Sequence, residues 1–371
     1  MVLPLARAGM VLLPAVDALR TRGARADRVG VGLLDSRLAG TPCRRTVEAT
    51  MEHITRTAIV PASAAGSRLD QAAAALLPEF SRTRLQQWIR EGRLRVNGEA
   101  RAARSAVLAG DTLVLDAETA SESVWSATPM ALSILFEDES LLVLDKPVGL
   151  VVHPAAGHVD DTLLNGLLVH CPALADLPRA GIVHRLDRDT SGVLVVAKTL
   201  AAQTALGAAI QAREVTREYR AVVNGVVVSG GAVDRPIGRH PRDRQRMAVL
   251  NSGGRRAVTH YRVLARYRAH TLLGVLLETG RTHQIRVHMA SIGFPIVGDP
   301  VYGGRPRLPR GASHGLIDCL QGLRRQALHA FRLSFAHPAS SEPMCFEAPL
   351  PADLRTLIDA LADDRREHAD D

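Results

Sequence analysis

The chain has 371 residues, a formal net charge of +8 and a hydrophobic share of 46%. This is the composition of an ordinary globular protein with room for two or three domains, and no apolar run approaches the roughly 20 residues of a membrane-spanning helix. The positive charge favours a polyanionic partner. Of the 46 basic residues only Lys146 and Lys198 are lysine, so the positions of the arginines are more informative than their number.

The cysteines indicate a reducing compartment. Four of them lie far apart without any Cys-x-x-Cys spacing, namely Cys43, Cys171, Cys319 and Cys345. We expect reduced thiols in a cytoplasmic protein. Short apolar runs near the N-terminus are broken by Arg7 and Pro14, which argues against a signal peptide.

The first part of the chain, residues 1–60, contains several arginines and little hydrophobic periodicity. We expect a disordered extension or a misassigned start, with Met51 as an alternative first residue. A targeting peptide fits this stretch less well.

A compact unit is predicted over residues 67–116. Apolar residues at helical spacing predict a first helix that Pro78 ends, and Ser81 is a suitable N-cap for a second helix that Gly92 would end. The second helix has three inward-facing apolar residues, Leu85, Trp88 and Ile89. A strand over residues 94–96 then leads into a tight Asn-Gly turn.

Seven arginines cluster on this unit: Arg82, Arg84, Arg90, Arg93, Arg95, Arg101 and Arg104. They form either a solvated basic face or a set of phosphate contacts. Three segments resemble the S4 RNA-binding domain: Ser-Arg-Leu-Asp at 67–70, Ser-Arg-x-x-Leu-Gln-x-Trp-Ile at 81–89 and Val-Asn-Gly at 96–98. The resemblance implies RNA binding, with Arg82, Arg84, Arg90 and Arg93 as candidate contacts.

The rest of the chain divides into three parts. Residues 117–130 have the composition of a linker. A larger domain is predicted over residues 131–358. The acidic tail, residues 359–371, is expected to be solvated.

The most informative stretch of the larger domain is the loop over residues 184–192. It lies between two apolar runs, residues 180–183 and 193–197, that both predict short buried strands. Five ionisable side chains lie in this loop: His184, Arg185, Asp187, Arg188 and Asp189. Charge at the end of core strands is costly unless it is paired or used, but Asp-Thr-Ser-Gly also suits a surface turn. The residues alone leave both an active site and a charged turn open.

Two further residues stand out by their position on strands. Lys146 follows a predicted buried strand at 141–144 in a chain that has almost no lysine, although a surface cation at a strand end is also possible. Tyr219 lies in a predicted strand at 217–223, where an inward tyrosine is most often ordinary core.

A helix is predicted to begin after Thr282, which can act as its N-cap. Its apolar face consists of Ile285, Met289 and Ile292. Arg286 lies at the edge of that face, and a half-buried arginine needs a carboxylate partner. His283 and His288 do not share a helix face, so we interpret them as hydrogen-bonding, RNA-facing residues and not as metal ligands.

Three motifs of the larger domain resemble the pseudouridine synthases of the ribosomal large-subunit type. His-Arg-Leu-Asp-x-x-Thr-Ser-Gly at 184–192 resembles the central motif of the family. Lys-Pro with Gly-Leu-x-Val-His-Pro at 146–154, and Gly-Arg-Thr-His-Gln-x-Arg-Val-His at 280–288, resemble two further blocks. With its S4-like unit, the chain is most similar to the branch with an N-terminal S4 domain, over residues 67–350.

The resemblance implies an α/β (α+β) pseudouridine synthase fold, with a mixed, largely antiparallel sheet and a small N-terminal S4 domain. It also implies three catalytic residues. Asp187 would act at the ribose of an extruded uridine, Tyr219 would stack on the base, and Arg286 would pair with Asp187. Arg185 would replace the extruded base or hold backbone phosphate.

The implied reaction is the isomerisation of specific uridines to pseudouridine in large-subunit ribosomal RNA, by a monomer. Further candidate RNA contacts are His184, Lys146, Arg281 and His283. No motif indicates a metal or a diffusible cofactor, and we expect neither.

Three alternatives remain. The first is a sister specificity, for another ribosomal uridine or for tRNA. The second is a non-catalytic RNA-binding assembly factor. The third is a glycosidase or nucleosidase that uses Asp187 and Asp189 as paired carboxylates.

Overall fold

The structure, a computed structural model, describes residues 51–78, 80, 82–120, 125–155, 157–243 and 246–368. Residues 1–50 and the proposed N-cap Ser81 lie outside the described residues, so the predictions made for them stay predictions. No helix in the described ranges has both the length and the apolar character to cross a bilayer.

The described residues form two sets of regular elements. The strands are β1 (Met51–Ile59), β2 (Leu94–Val96), β3 (Thr112–Ala120), β4 (Ser133–Glu137), β5 (Leu141–Lys146), β6 (Ser191–Ala197), β7 (Thr216–Asn224), β8 (Gly231–Asp234), β9 (Ile237–Arg239), β10 (Met247–Val249), β11 (Val258–Arg266), β12 (His270–Leu277), β13 (Leu328–Ala336) and β14 (Pro343–Glu347). The α-helices are α1 (Leu69–Leu76), α2 (Arg82–Arg90), α3 (Leu163–His170), α4 (Leu200–Ala212), α5 (Gln284–Ser291), α6 (His314–Gly322) and α7 (Ala352–Glu367).

The N-terminal unit packs α1 and α2 around their own core, next to a three-stranded sheet ordered β1-β3-β2. Leu85, Trp88 and Ile89 are buried in that core, as their spacing predicts. The two helices and β2 agree with the predicted positions.

The predicted extension over residues 1–60 is wrong in its last part. Strand β1 pairs antiparallel with β3 from Met51↔Ala120 to Ile59↔Thr112. Most described β1 side chains are exposed or half-buried, including Ile59 at 67% exposed. Backbone hydrogen bonds and not apolar side chains hold this edge strand, so hydrophobic periodicity could not reveal it. Because β3 extends to Ala120, the predicted linker also begins too early.

The larger domain is built on a nine-stranded sheet. Its order is β4-β5-β6-β13-β7-β12-β11-β8, with β14 paired to β13. The β6–β13 pair is parallel and the other pairs are antiparallel, which confirms the predicted mixed, largely antiparallel sheet. Strand β6 is buried along its whole length, which explains its continuous apolar sequence.

One row of this sheet brings two distant motifs together. Ala330 of β13 pairs with Gly192 of β6 on one side and with Tyr219 of β7 on the other. Gly192 has φ +117°, and a Cβ there would lie 2.1 Å from the Ala330 carbonyl oxygen. Only glycine permits this close approach. The loop that precedes Gly192 is therefore held one strand away from Tyr219.

The strand predicted over residues 180–183 is absent. Residues Pro178–Gly181 form a short 3-10 helix in which Arg179 and Ala180 have positive φ, and Ile182 makes a single bridge to Val196. The apolar run is buried against the edge of the core, but it does not pair as a strand of the sheet. Short apolar runs do not distinguish these two cases.

The predicted solvated tail, residues 359–371, is helical and partly packed in its described part, although half of its described side chains are exposed. Helix α7 continues to Glu367, and Leu354, Leu357 and Leu361 are buried at helical spacing. Asp364 is also buried and accepts a hydrogen bond of 3.1 Å from Arg268 Nη1. The charged residues between these positions hid the apolar stripe.

Candidate active site

A cavity of about 880 Å³ lies between the 182–190 loop, β7 and the turn that leads into α5. Asp187, Tyr219 and Arg286 all line it. The predicted ion pair is present, with 3.1 Å between Arg286 Nη1 and Asp187 Oδ2. Residues 99 positions apart along the chain thus meet in one site.

The loop that carries Asp187 is held through its backbone. The Thr190 amide donates to the Asp187 carbonyl at 3.0 Å, which closes a turn. Lys146 Nζ donates to the Arg188 carbonyl at 2.9 Å, and Arg325 Nη1 donates to the Asp189 carbonyl at 3.3 Å. Two buried cations therefore hold successive carbonyls of the loop, and the Asp187 side chain remains 19% exposed toward the cavity.

Arg286 is held chiefly by a residue that sequence reasoning missed. Asp299 accepts from Arg286 Nε at 2.7 Å and from Nη2 at 2.9 Å. The Asp299 carboxylate also accepts from the Val301 and Tyr302 amides at 2.9 and 3.0 Å. A buried arginine with only one, partly exposed partner would be poorly compensated, and that need was the available signal for a second carboxylate.

The charges of this trio stabilise one another. Burial alone lowers the pKa of Arg286, but hydrogen bonds and charge from Asp299, and then the charge of Asp187, outweigh it and raise that pKa. Burial alone raises the pKa of Asp299, but Arg286 and the two amides keep it below its usual value. Arg286 and Asp299 therefore stabilise each other's charged forms.

Tyr219 lies on the cavity wall with 6% of its surface exposed. Burial raises the pKa of its hydroxyl, and the charge of Asp187 acts in the same direction against that of Arg217. The side chain is therefore a neutral aromatic surface beside the carboxylate.

The helix after this turn begins one residue later than predicted. His283, and not Thr282, is the N-cap of α5, with a left-handed φ of 55°. The Gln284 side chain accepts from Thr279 Oγ1 at 2.8 Å and from the Arg281 amide at 3.0 Å. This side-chain bridge closes the turn and replaces the expected threonine cap.

Among the predicted RNA contacts, His184, Arg185, Arg281 and His283 line the cavity. Arg185 is exposed and Arg281 is half-buried. His283 Nδ1 lies 3.0 Å from the Tyr302 hydroxyl, and burial lowers the pKa of its ring. Their contact with RNA remains a prediction.

Lys146 is not an RNA contact. It is fully buried, and its Nζ donates to the carbonyls of Pro147, Leu150 and Arg188 at 2.7, 3.0 and 2.9 Å. Burial lowers the pKa of Lys146 to about 8, against the charges of the nearby carboxylates. It connects two loops, so neither a surface cation nor a phosphate contact describes it.

His184 has a structural contact besides its place in the cavity lining, and His288 differs from its predicted role. His184 Nε2 accepts from the Val195 amide at 3.2 Å, and burial lowers its pKa to about 3, which makes it a neutral support of β6. His288 is fully buried and bonds to Thr259 Oγ1 and to the Arg235 carbonyl, each at 2.9 Å. His288 is therefore not RNA-facing. The described part of the chain has no cluster of side chains that could hold a metal ion.

One arginine of the predicted cluster, Arg82, is positioned by a second missed carboxylate. Asp70 is fully buried and accepts from Arg82 at 2.8 Å, from Gln86 at 2.6 Å and from Arg68 at 2.9 and 3.0 Å. Burial alone raises the pKa of Asp70, but hydrogen bonds from Arg82, Gln86 and Arg68 reverse that shift and lower it. Arg82 is thus fixed in position while its side chain stays 46% exposed.

The structure also gives the positions of the other three arginines predicted to contact RNA. Arg84 lies 5.6 Å from the centre of the Trp88 ring. Arg90 and Arg93 are exposed. Phosphate binding by these arginines stays a prediction.

The cavity is strongly cationic. Six arginines line it: Arg179, Arg185, Arg213, Arg217, Arg281 and Arg286. Its two carboxylates are Asp187 and Glu278, and Glu278 is paired with Arg213 and Arg256. Asp189 lines a different pocket and pairs with Arg188. The site therefore combines one carboxylate beside an aromatic surface with a positive surround suited to a polyanion.

Comparison with known proteins agrees with this site. Residues 140–291 match the model of the RNA pseudouridylate synthase family, and residues 67–113 match that of the S4 domain. The chain belongs to the RNA pseudouridylate synthase family, whose members isomerise uridine to pseudouridine within RNA.

The chain spans nearly the whole length of the similar relatives. "Ribosomal large subunit pseudouridine synthase D" of Pseudomonas aeruginosa is 57% identical over 84% of this chain and 97% of its own. The protein of that name from Xanthomonas campestris is 54% identical over 83% of this chain and 93% of its own. The one from Escherichia coli K12 is 50% identical over 86% and 98%.

Proposed function

We propose that the enzyme isomerises specific uridines of large-subunit ribosomal RNA, with Asp187 acting at the ribose. The observation that carries the proposal is the Asp187–Arg286–Asp299 trio beside Tyr219 in a cationic cavity. The names of the similar relatives support ribosomal RNA as the substrate, and the S4 domain supports a separate RNA contact.

In the proposed reaction the target uridine is extruded from the RNA into the cavity, and Tyr219 stacks on its base. Asp187 either bonds to C1′ or removes a proton from C2′. The C1′–N1 bond breaks, and its electron pair stays on the uracil. The base turns and C5 bonds to C1′; in the same step the Asp187–C1′ bond breaks or, in the other route, the proton returns from Asp187 to C2′. C5 then loses its proton and N1 gains one.

The structure offers less support for a glycosidase or nucleosidase. Such an enzyme needs a second carboxylate to activate water. The Asp189 side chain lies outside the cavity in an ion pair with Arg188, and the other carboxylate of the cavity, Glu278, is held in ion pairs with Arg213 and Arg256. We further propose that the enzyme works in the cytoplasm as a monomer. Light scattering at micromolar concentration tests the monomer.

The decisive experiment is site-by-site mapping of pseudouridine in ribosomal RNA from a deletion strain. Loss of pseudouridine at specific large-subunit uridines, restored by the intact gene but not by the Asp187→Asn variant, is the expected result. A complete pattern in the deletion strain would refute the proposed substrate. Loss confined to tRNA would support the sister specificity instead.

A further inference from the structure

Arg217 is a buried cation in the cavity that takes no part in the Asp187–Arg286–Asp299 trio. It is 7% exposed, and it lies in the lining with Asp187 and Tyr219. Among the described residues, none accepts a hydrogen bond from its Nε. An uncompensated buried charge is costly unless something binds to it.

The nearby carboxylates are held by other cations. Asp187 pairs with Arg286, and Glu278 pairs with Arg213, Arg256 and His260. Glu218 follows Arg217 directly and so points to the opposite face of β7, where it pairs with Arg220, Arg262 and Arg332. Among the described residues no carboxylate is paired with Arg217, so its unused donor can serve a ligand.

The position of Arg217 selects the part of the substrate that it can reach. Arg217 and Tyr219 are two residues apart on β7 and face the same side, about 7 Å apart. A Cβ at Gly280 would lie 2.8 Å from Arg217 Nη1, so the guanidinium is packed against the backbone of that turn. It is held beside the surface on which we place the base.

The exposed arginines of the cavity are better placed for the RNA backbone. Arg179, Arg185 and Arg213 are exposed lining residues, whereas Arg217 is buried. The phosphates of an RNA strand stay outside when one nucleotide is extruded. The ligand of Arg217 is then the extruded base itself.

We propose that Arg217 donates hydrogen bonds to a carbonyl oxygen of the extruded uracil and stabilises the negative charge that the base acquires when the C1′–N1 bond breaks. This inference rests on the proposed function. Bond cleavage leaves the electron pair on the uracil, spread over N1, O2 and O4, while Asp187 either bonds to C1′ or takes the proton from C2′. Intact uracil is neutral, so a fixed cation binds the cleaved base more strongly and accelerates the step.

The test compares Arg217→Met, Arg217→Lys and a matched control, Arg262→Met, which removes the same charge from the opposite face of the sheet. Single-turnover rate, RNA affinity and melting temperature are measured on a stem-loop that the wild-type enzyme modifies. We expect Arg217→Met to slow the reaction about 10²–10³-fold, as for loss of one donor to a developing anion. RNA affinity and melting temperature should stay close to wild type, and Arg217→Lys should recover part of the rate.

Sulfur substitution in the substrate identifies the uracil oxygen that Arg217 contacts. Stem-loops with sulfur in place of O2 or of O4 weaken one hydrogen bond at a time. One of them should slow the wild-type enzyme, and that penalty should be absent in Arg217→Met and reduced in Arg217→Lys. This comparison remains informative through Arg217→Lys if Arg217→Met does not fold.

Several results would overturn the assignment. The first is a normal rate in Arg217→Met. The second is a slowing by sulfur that persists in both Arg217 variants. The third is weaker RNA binding with a flatter salt dependence at an unchanged rate, which would indicate that Arg217 binds phosphate. A wild-type enzyme without activity on any ribosomal uridine would instead refute the proposed function, so the two failures are distinguishable.

Discussion

Arg286 and Asp299 form a two-point ion pair in which both side chains are almost completely buried, at 5% and 0% exposed. The two hydrogen bonds leave the remaining nitrogen, Nη1, to reach Asp187. The orientation of the proposed catalytic carboxylate therefore depends on a residue that lines no part of the cavity.

We expect Asp299→Asn to disturb both the fold and the reaction. Removing one partner of a buried pair costs about 3–5 kcal/mol in the free energy of unfolding, and a guanidinium free to turn would lower turnover about 10²-fold. Urea unfolding and turnover measure the two effects. The control is Asp234→Asn, whose carboxylate is 60% exposed. Equal behaviour of the two variants would contradict the assigned role of Asp299.

Asp187→Asn should abolish activity without unfolding the protein. It keeps the side-chain shape and removes the charge of a group that is already 19% exposed, so we expect a loss of at least about three decades in rate with little change in RNA affinity. Asp189→Asn is the matched control and should react nearly normally. If Asp189→Asn were inactive, or if free uracil were released, the hydrolase alternative would regain support.

The close approach at Gly192 predicts a large loss of stability in Gly192→Ala. The new Cβ would meet the Ala330 carbonyl oxygen at 2.1 Å, at φ +117°. Overpacking and backbone strain, each about 1–3 kcal/mol, act together there. Gly207→Ala is the control, because its Cβ would meet nothing within 4 Å in helix α4. That variant should gain about 0.5–1 kcal/mol, and similar unfolding curves for the two would contradict the predicted steric conflict.

Buried histidines predict that the enzyme loses stability as pH falls below about 6.5. Burial lowers the pKa of His270 to about 4 and that of His184 to about 3, whereas in the unfolded chain each titrates near 6.5. Between these values the unfolded state binds protons that the folded state does not. In this range each histidine lowers the free energy of unfolding by about 1.4 kcal/mol for every unit that the pH falls. Above pH 6.5 neither histidine changes it.

His270→Leu tests this dependence. Neither ring nitrogen of His270 has a hydrogen-bond partner among the described residues, so an apolar side chain of similar size should not destabilise the fold. The free energy of unfolding, measured with denaturant between pH 5 and pH 7, should depend less steeply on pH in His270→Leu than in the wild type, by the contribution of one proton. The exposed His314, replaced by leucine, is the control. An unchanged slope in His270→Leu would show that His270 is already charged in the folded state.

The arginines of the S4 domain predict a salt-dependent contribution to RNA binding. Replacing Arg84, Arg90 and Arg93 together by glutamine should reduce the slope of log affinity against log salt by about 0.7–0.9 for each phosphate that the variant no longer neutralises. Titrations at several salt concentrations measure this slope. Arg366→Gln, at a residue whose side chain is 78% exposed, is the control. An identical slope in the triple variant would mean that this face is only solvated.

Local sequence determined much of the molecule. The periodicity of α1 and α2 and the apolar runs of β5 and β6 depend on neighbours within a few residues, and these elements formed as predicted. The same holds for the motifs that contain Asp187 and Arg286, because each is contiguous in the chain. Edge strand β1 and helix α7 were missed because their stability comes from pairing and packing with distant elements.

Only the tertiary structure decided what each charged side chain does. Lys146 and Arg185 both stand beside motif residues, but the first is buried on carbonyls of two loops and the second is exposed at the cavity. The sequence did not single out Asp299 or Asp70 as arginine partners; the fold buried both carboxylates against arginines. The burial and partners of a charge are set by sheet register and long-range packing, and the free energy of an ion depends on those surroundings rather than on its neighbours in sequence.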